Sequence, residues 1–208
     1  MSLRRHISHL RRDESGASVV ELAIVIPLFL LLTFAFIDFA RLGFTYVMTG
    51  KAMDRAVRMA VVLSAPCPDL PVINVRGGGG DEVRFGTSCS AASGLCNDPG
   101  VISCAMDVDH STSNTIWSTI QPLMPVNATP ENVVLSYEYT SDMGFLGGPY
   151  TPIVTARIDS LTFEFITPLG ALAGLAGASD TGTLGTDFIF PSMSASLPAE
   201  ALADGETL

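Results

Sequence analysis

An uncharged apolar run near the start of the chain limits what this sequence can fold into. Residues 22–37 read LAIVIPLFLLLTFAFI, and adding residues 17–21 gives a tract of 21 residues with a single acid. At ~1.5 Å per residue such a helix is about 31 Å long, close to the ~30 Å hydrocarbon core of a bilayer. A buried helix of a soluble protein is the alternative, but such helices are seldom apolar on every side. The tract predicts one transmembrane helix.

Charge is divided unevenly along the chain. The first 58 residues hold eight Lys or Arg and five acids, whereas the other 150 hold three and sixteen. Four arginines precede the apolar tract, and a basic flank of this kind stays in the cytoplasm; they are Arg4, Arg5, Arg11 and Arg12. We therefore expect a cytoplasmic leader over residues 1–16 and a translocated acidic part. The net charge of −10 argues against a nucleic-acid partner.

The helical pattern continues beyond the apolar tract. No proline occurs between Phe39 and Leu63, and apolar residues recur there at helical spacing; they are Phe39, Leu42, Tyr46, Met53, Val57 and Ala60. The basic residues Lys51, Arg55 and Arg58 fall on another face. The sequence predicts a continuous helix over residues 17–65 whose second half is amphipathic.

A carboxylate stands at the edge of the apolar tract. Glu21 follows Gly16 and Ala17 at short range, and insertion of an acid at the bilayer centre costs about 2.5–3.5 kcal/mol, less near the interface. One partner that would offset this cost is the free α-amino group of a neighbouring chain, created by cleavage after Gly16. The alternative is that Glu21 reaches the headgroups.

These residues carry a family resemblance. Residues 13–60 resemble the TadE-like domain of tight-adherence (Flp-type) pilus assembly systems, in which a Gly and a Glu five positions later open an apolar helix that is followed by an acid and an Arg. The matching positions are Gly16, Ala17, Val20, Glu21, Ala23, Pro27, Asp38, Arg41, Ala56 and Arg58.

The resemblance implies a processed membrane protein. A prepilin peptidase would cut on the cytoplasmic side, which makes Gly16 the last leader residue and Ala17 the mature N-terminus. Glu21 would serve recognition or register between subunits, and the helix-packing positions are Pro27, Asp38 and Arg41. The implied partners are the lipid bilayer, the peptidase, other pilin-like subunits and the pilus assembly platform. The implied location is the bacterial inner membrane, with a periplasmic C-terminal part.

Residues 66–115 are rich in Gly, Ser, Pro and Asp, which predicts loops and turns. They hold all four cysteines, Cys67, Cys89, Cys96 and Cys104, spaced C-x21-C-x6-C-x7-C with no C-x-x-C pair. An even number of cysteines on the translocated side favours two disulfides, with three connectivities open and four buried thiols as the alternative. The GGGG run at 77–80 lacks the Lys-Ser/Thr of a phosphate loop and is expected to be a linker.

The C-terminal part predicts an antiparallel sheet. Strand patterns occur at residues 133–139, 153–166 and 188–197, and a short helix is plausible at 116–124. The small residues of 170–186 predict a loop or a short docking segment. The expected fold is α+β, a long N-terminal helix packed on a small antiparallel-sheet domain over residues 66–198, with a flexible tail at 199–208.

The sequence offers little catalytic chemistry. No G-x-S-x-G or H-E-x-x-H occurs, and His6 and His9 lie in the predicted leader. His110 stands near Asp107 and Asp109, but a lone His in a polar loop is more often only solvated. We therefore expect no enzyme, no cofactor and no metal site.

Two functions remain open at this point. The resemblance implies a minor pilin or pseudopilin that assists assembly of a pilus or a related secretion apparatus after cleavage behind Gly16. The alternative is an uncleaved, single-pass, membrane-tethered periplasmic binding domain.

Overall fold

The computed structural model describes residues 16–78, 83–180, 182–199 and 202. The predicted leader, apart from Gly16, and most of the predicted tail lie outside these residues, as do the last two glycines of the predicted linker. The chain forms two compact units. Of the described residues, the first unit combines those up to Gly43 with Phe163–Phe188, and the second combines Phe44–Thr162 with those from Ile189 onward.

The first helix, α1, runs from Ala17 to Ala60 without a break. Its 44 residues correspond to about 66 Å. The sequence predicted an end near residue 65. Regular helix ends at Ala60, and a last helical hydrogen bond joins the Leu63 amide to the Met59 carbonyl at 3.0 Å. Gly43 and Gly50, whose residue type weakens a helix, are both helical.

One stretch of α1 has the length and hydropathy of a membrane span. The most apolar 18-residue window within Val19–Ala60 has a mean hydropathy of 2.6, and none of it is buried. Large apolar side chains such as Ile24, Phe29 and Phe36 are exposed. Exposure of so many apolar side chains in a helix is what a lipid-facing segment requires.

The second half of α1 lies in the second unit and buries one face. Ala52, Met53, Ala56, Val57 and Ala60 are buried at the spacing of a helical stripe. The stripe therefore matches the predicted amphipathic pattern at its C-terminal end.

Two residues near the start of the predicted stripe behave differently. Phe39 and Tyr46 are 60% and 48% exposed, although the Tyr46 ring lies 6.2 Å from that of Phe190. On the polar face, Asp54 pairs with Lys51 at 3.6 Å.

A four-stranded antiparallel sheet forms the centre of the second unit, in the order β1-β2-β3-β6. Its strands are β1 (Val101–Ala105), β2 (Val133–Glu138), β3 (Ile153–Ile158) and β6 (Ser194–Pro198). Leu135 lies opposite Ala156 and Tyr137 opposite Val154, and all four are buried. These pairs alternate with more exposed residues, which places one sheet face in the core.

Several elements differ from the sequence prediction. β1 lies in the stretch predicted as loops, and α2 (Ser111–Ile120) begins five residues before the predicted helix. The predicted strand 153–166 stops at Ile158, because Ser160 adopts a positive φ of 53°. Two short strands, β4 (Thr162–Phe163) and β5 (Phe188–Ile189), form a separate sheet. The small-residue stretch contains a short helix, α3 (Leu169–Leu175).

Candidate functional site

The start of α1 coincides with the predicted processing position. Gly16 is exposed and precedes the first helical residue, Ala17. A Cβ built on Gly16 meets no atom of the described chain within 4 Å. Among the described residues no side chain or backbone crowds Gly16, which stands between the predicted leader and the helix.

Glu21 lies one helical turn beyond this border. Its side chain is exposed, and within the described chain it makes no ion pair. A carboxylate in this position is free to meet a group outside the chain, whether a lipid headgroup or a neighbouring polypeptide. Pro27, the next predicted position, is accommodated inside the continuous helix, as membrane helices allow.

Asp38 is fully buried at the end of the apolar tract. Its Oδ1 accepts a hydrogen bond from Arg41 Nη1 at 3.0 Å, one turn along α1. Its Oδ2 accepts from the Thr167 amide at 3.3 Å and also from the Thr167 hydroxyl. A buried carboxylate needs such partners, because its desolvation is costly unless charge and hydrogen bonds offset it.

An aromatic ring lies beside the cation of this cluster and contacts two further rings. The Arg41 guanidinium lies 5.7 Å from the centroid of the Phe163 ring, within the range of a cation–π contact. Phe163 contacts the rings of Phe165 and Phe188, with centroid distances of 5.4 and 5.5 Å. We call Asp38, Arg41, Phe163 and Thr167 the Asp38 cluster; it joins α1 to the segment Phe163–Phe188 inside the first unit.

Part of this cluster was predicted from the sequence, and the rest was not. It singled out Asp38 and Arg41 as positions of the family pattern. Thr167 carries no signal in a single sequence, because it is 129 residues from Asp38 and lies in a stretch of small residues. The structure brings Asp38 and Arg41 together and leaves Pro27 more than two turns away along the helix.

The four cysteines form two disulfides in the second unit. Cys67 pairs with Cys104 and Cys89 with Cys96, with Cα–Cα distances of 5.5 and 5.3 Å. Two bridges were predicted, and the structure selects one of the three open connectivities. The shorter bridge lies in a small cluster with Leu95 and Leu146.

His110 and its acidic neighbours occupy structural positions. His110 is the residue before α2, and Asp107 accepts the Asp109 amide at 3.0 Å. Among the described residues, no three His, Cys, Asp or Glu side chains are grouped so that they could hold a metal ion.

These features define a class of protein with one candidate membrane helix that continues into a small, disulfide-bonded α+β domain. Residues 16–58, about a fifth of the chain, match the family model described as TadE-like protein. The match confirms the suspected resemblance over this segment, which starts at Gly16 and includes Asp38 and Arg41. No curated protein matches the chain, and no solved structure does.

Proposed function

We propose that this chain is a minor pilin-like subunit, a pseudopilin, that assists assembly of a tight-adherence pilus or a related secretion apparatus. The TadE-like match over residues 16–58 carries the proposal, because this family suggests involvement in Tad pilus assembly and the match begins at the predicted processing position. In this role the chain is not an enzyme. It is a substrate of the prepilin peptidase and a packing partner of other subunits.

Cleavage after Gly16 would place a new α-amino group at the first residue of α1. In a bundle of like helices, the exposed Glu21 of one subunit pairs with the amine of a neighbour. This pairing offsets the cost of a carboxylate at the membrane edge and sets the helices in register. The exposed apolar side chains of α1 supply the lateral contact surface.

The compartments follow from charge and cysteine chemistry. The arginine-rich leader stays in the cytoplasm, and α1 crosses the inner membrane once. The domain with two disulfides then lies in the oxidising periplasm. There it would cap, prime or select the growing assembly.

Mass spectrometry of the membrane-extracted protein tests the processing step. We expect a mature N-terminus at Ala17 in cells that contain the prepilin peptidase and an intact leader in cells that lack it. An intact leader in both strains would favour the uncleaved, membrane-tethered binding domain instead.

A substitution at Glu21 tests the pairing step. Glu21→Ala should leave the amount of membrane-inserted protein unchanged and abolish pilus formation, because the neighbour's amine loses its partner. Asp54→Ala is the matched control, since Asp54 is an acid of the same helix far from the membrane edge. Normal piliation in the Glu21→Ala strain would disprove the role assigned to this residue.

A further inference from the structure

We infer that the segment Phe163–Phe188 is seated in the lipid interface at which α1 leaves the membrane, with its exposed apolar side chains in the bilayer. The inference rests on the proposed function in one respect, namely that α1 crosses a membrane. It adds a second site of lipid contact, far from α1 in the sequence.

The Asp38 cluster sets the depth of this segment. Ala17 and Asp38 are 21 residues apart in one helix, which corresponds to about 32 Å, the thickness of the hydrocarbon core. With Ala17 at one interface, Asp38 lies at the other. Because the Thr167 amide and hydroxyl both bond to Asp38, Thr167 lies at the same depth.

Burial along α1 extends the contact toward the membrane side of Asp38. Leu31, Phe34 and Ala35 are half-buried and lie seven, four and three residues before Asp38, on its helical face. Thr33, five residues before Asp38, is half-buried as well, whereas Phe36 and Ile37 are exposed. Of the described residues, the first unit holds only α1 up to Gly43, Gly16 before it and Phe163–Phe188, so we assign this partial cover to Phe163–Phe188.

The composition of the segment suits an apolar environment. Residues 165–179 read FITPLGALAGLAGAS, without a charge. Ile166 and Leu175 are 71% and 73% exposed, and large apolar side chains exposed beside a membrane helix are explained most simply by lipid contact. Acids bound the uncharged stretch on both sides, Glu164 before it and Asp180 and Asp187 after it, and mark where the segment faces water.

Backbone groups of the segment are also hydrogen-bonded, as a low-dielectric environment requires. At the end of α3 the Ala176 amide bonds to the Leu172 carbonyl at 3.0 Å, and the Ala178 amide bonds to the Ala173 carbonyl at 2.9 Å. Satisfied backbone groups lower the cost of contact with hydrocarbon. No Lys or Arg lies between residues 163 and 188, so attraction to anionic headgroups is not the basis of the contact.

Depth-dependent fluorescence quenching in vesicles tests this inference. The full-length protein, with its disulfides intact, is reconstituted in phosphatidylcholine vesicles and labelled with an environment-sensitive fluorophore at one introduced cysteine. Test positions are Leu175→Cys and, as a second variant, Ile166→Cys. Leu32→Cys in α1 reports on insertion of the helix, and Val126→Cys, a fully exposed position of the second unit, reports on water.

We expect nitroxide lipids to quench the fluorophores at Leu175 and Ile166 several-fold more than the one at Val126. Replacing a third of the lipid by phosphatidylglycerol should not change this ratio. Quenching at both test positions no stronger than at Val126, with Leu32 quenched, would overturn the inference and leave the membrane helix intact. Absence of quenching at Leu32 would overturn the anchor and, with it, this inference.

Discussion

At the scale of the residue, two acids of α1 show how burial determines the energetic role of an ion pair. Asp38 and Asp54 each pair with a base three residues away in the same helix. Asp38 is fully buried and also binds Thr167, whereas the Asp54 side chain is 49% exposed. Water screens the exposed pair, so similar spacing in the sequence leads to different energetic roles.

Asp38→Ala should free the segment Phe163–Phe188 from α1. Loss of the carboxylate leaves Arg41 and the Thr167 donors without their acceptor, and hydrogen bonds to a charged group are worth about 1.5–3 kcal/mol. We expect faster amide hydrogen exchange in α3, measured by mass spectrometry in detergent micelles. Asp54→Ala is the control and should cost under ~1 kcal/mol; equal effects of both variants would contradict the assigned role.

A pair of neighbouring glycines offers a second residue-scale prediction. A Cβ on Gly77 would lie 2.3 Å from the Gly94 carbonyl oxygen, whereas one on Gly78 meets no atom of the described residues within 4 Å. Gly77→Ala should therefore destabilise the protein by about 1–3 kcal/mol, as overpacking commonly does. Gly78→Ala should leave the midpoint of thermal unfolding nearly unchanged. Circular dichroism compares the two, and similar midpoints would argue against the close packing of Gly77.

At the scale of the element, the disulfides compensate for a stretch with little regular structure. Among the described residues of 61–100, the helical structure is limited to one 3-10 turn, Cys89–Ala91. Cys67 follows the end of α1, and Cys104 lies in β1, so this bridge ties the loop to the sheet. A covalent tie reduces the conformational entropy of the unfolded chain.

The two bridges should differ in their contribution to stability. Their sequence separations are 37 and 7 residues, and the loop-entropy relation assigns them about 3.8 and 2.4 kcal/mol. We expect Cys67→Ser with Cys104→Ser to lower the free energy of unfolding more than Cys89→Ser with Cys96→Ser. Urea denaturation of the full-length protein in micelles measures both, and a reversed order would show that loop length does not govern their contributions.

At the scale of the whole molecule, the stability of the second unit depends on two buried tyrosines staying protonated. Burial raises the pKa of Tyr137 well above its usual value of 10.0, and burial with the nearby charge of Asp98 raises the pKa of Tyr150 to about 12. Below pH 10 both groups are protonated in the folded and the unfolded chain. Between pH 10 and about 12 the unfolded chain loses these protons before the folded chain does, so stability falls as pH rises.

We expect the free energy of unfolding to be level from pH 8 to 9.5 and to fall at pH 11 by about 1 kcal/mol for each buried tyrosine. Tyr137→Phe should reduce this alkaline loss. Tyr46→Phe, at a half-exposed position, is the control and should leave the loss as in the unmodified protein. Urea titrations at each pH measure the effect, and an unchanged alkaline loss in Tyr137→Phe would contradict it.

The local pattern of the chain determined much of this protein. Hydropathy and its repeat along the chain depend only on neighbouring residues, so the apolar helix, its amphipathic continuation, strand β2 and the start of β3 were predicted within a few residues. The end of β3 was predicted eight residues too late. The TadE-like pattern around Gly16 and Glu21 was likewise readable, because its residues lie close together in one helix.

Contacts between distant residues were decided only by tertiary structure. Besides Arg41, Asp38 bonds to Thr167, which is 129 residues away. No local pattern in the sequence marks Thr167. The pairing of Cys67 with Cys104 and the course of β1 beside β2 likewise depend on how the sheet is assembled. Local propensity specifies elements, whereas which elements meet depends on burial and hydrogen bonding summed over the whole chain, and a single sequence does not display that sum.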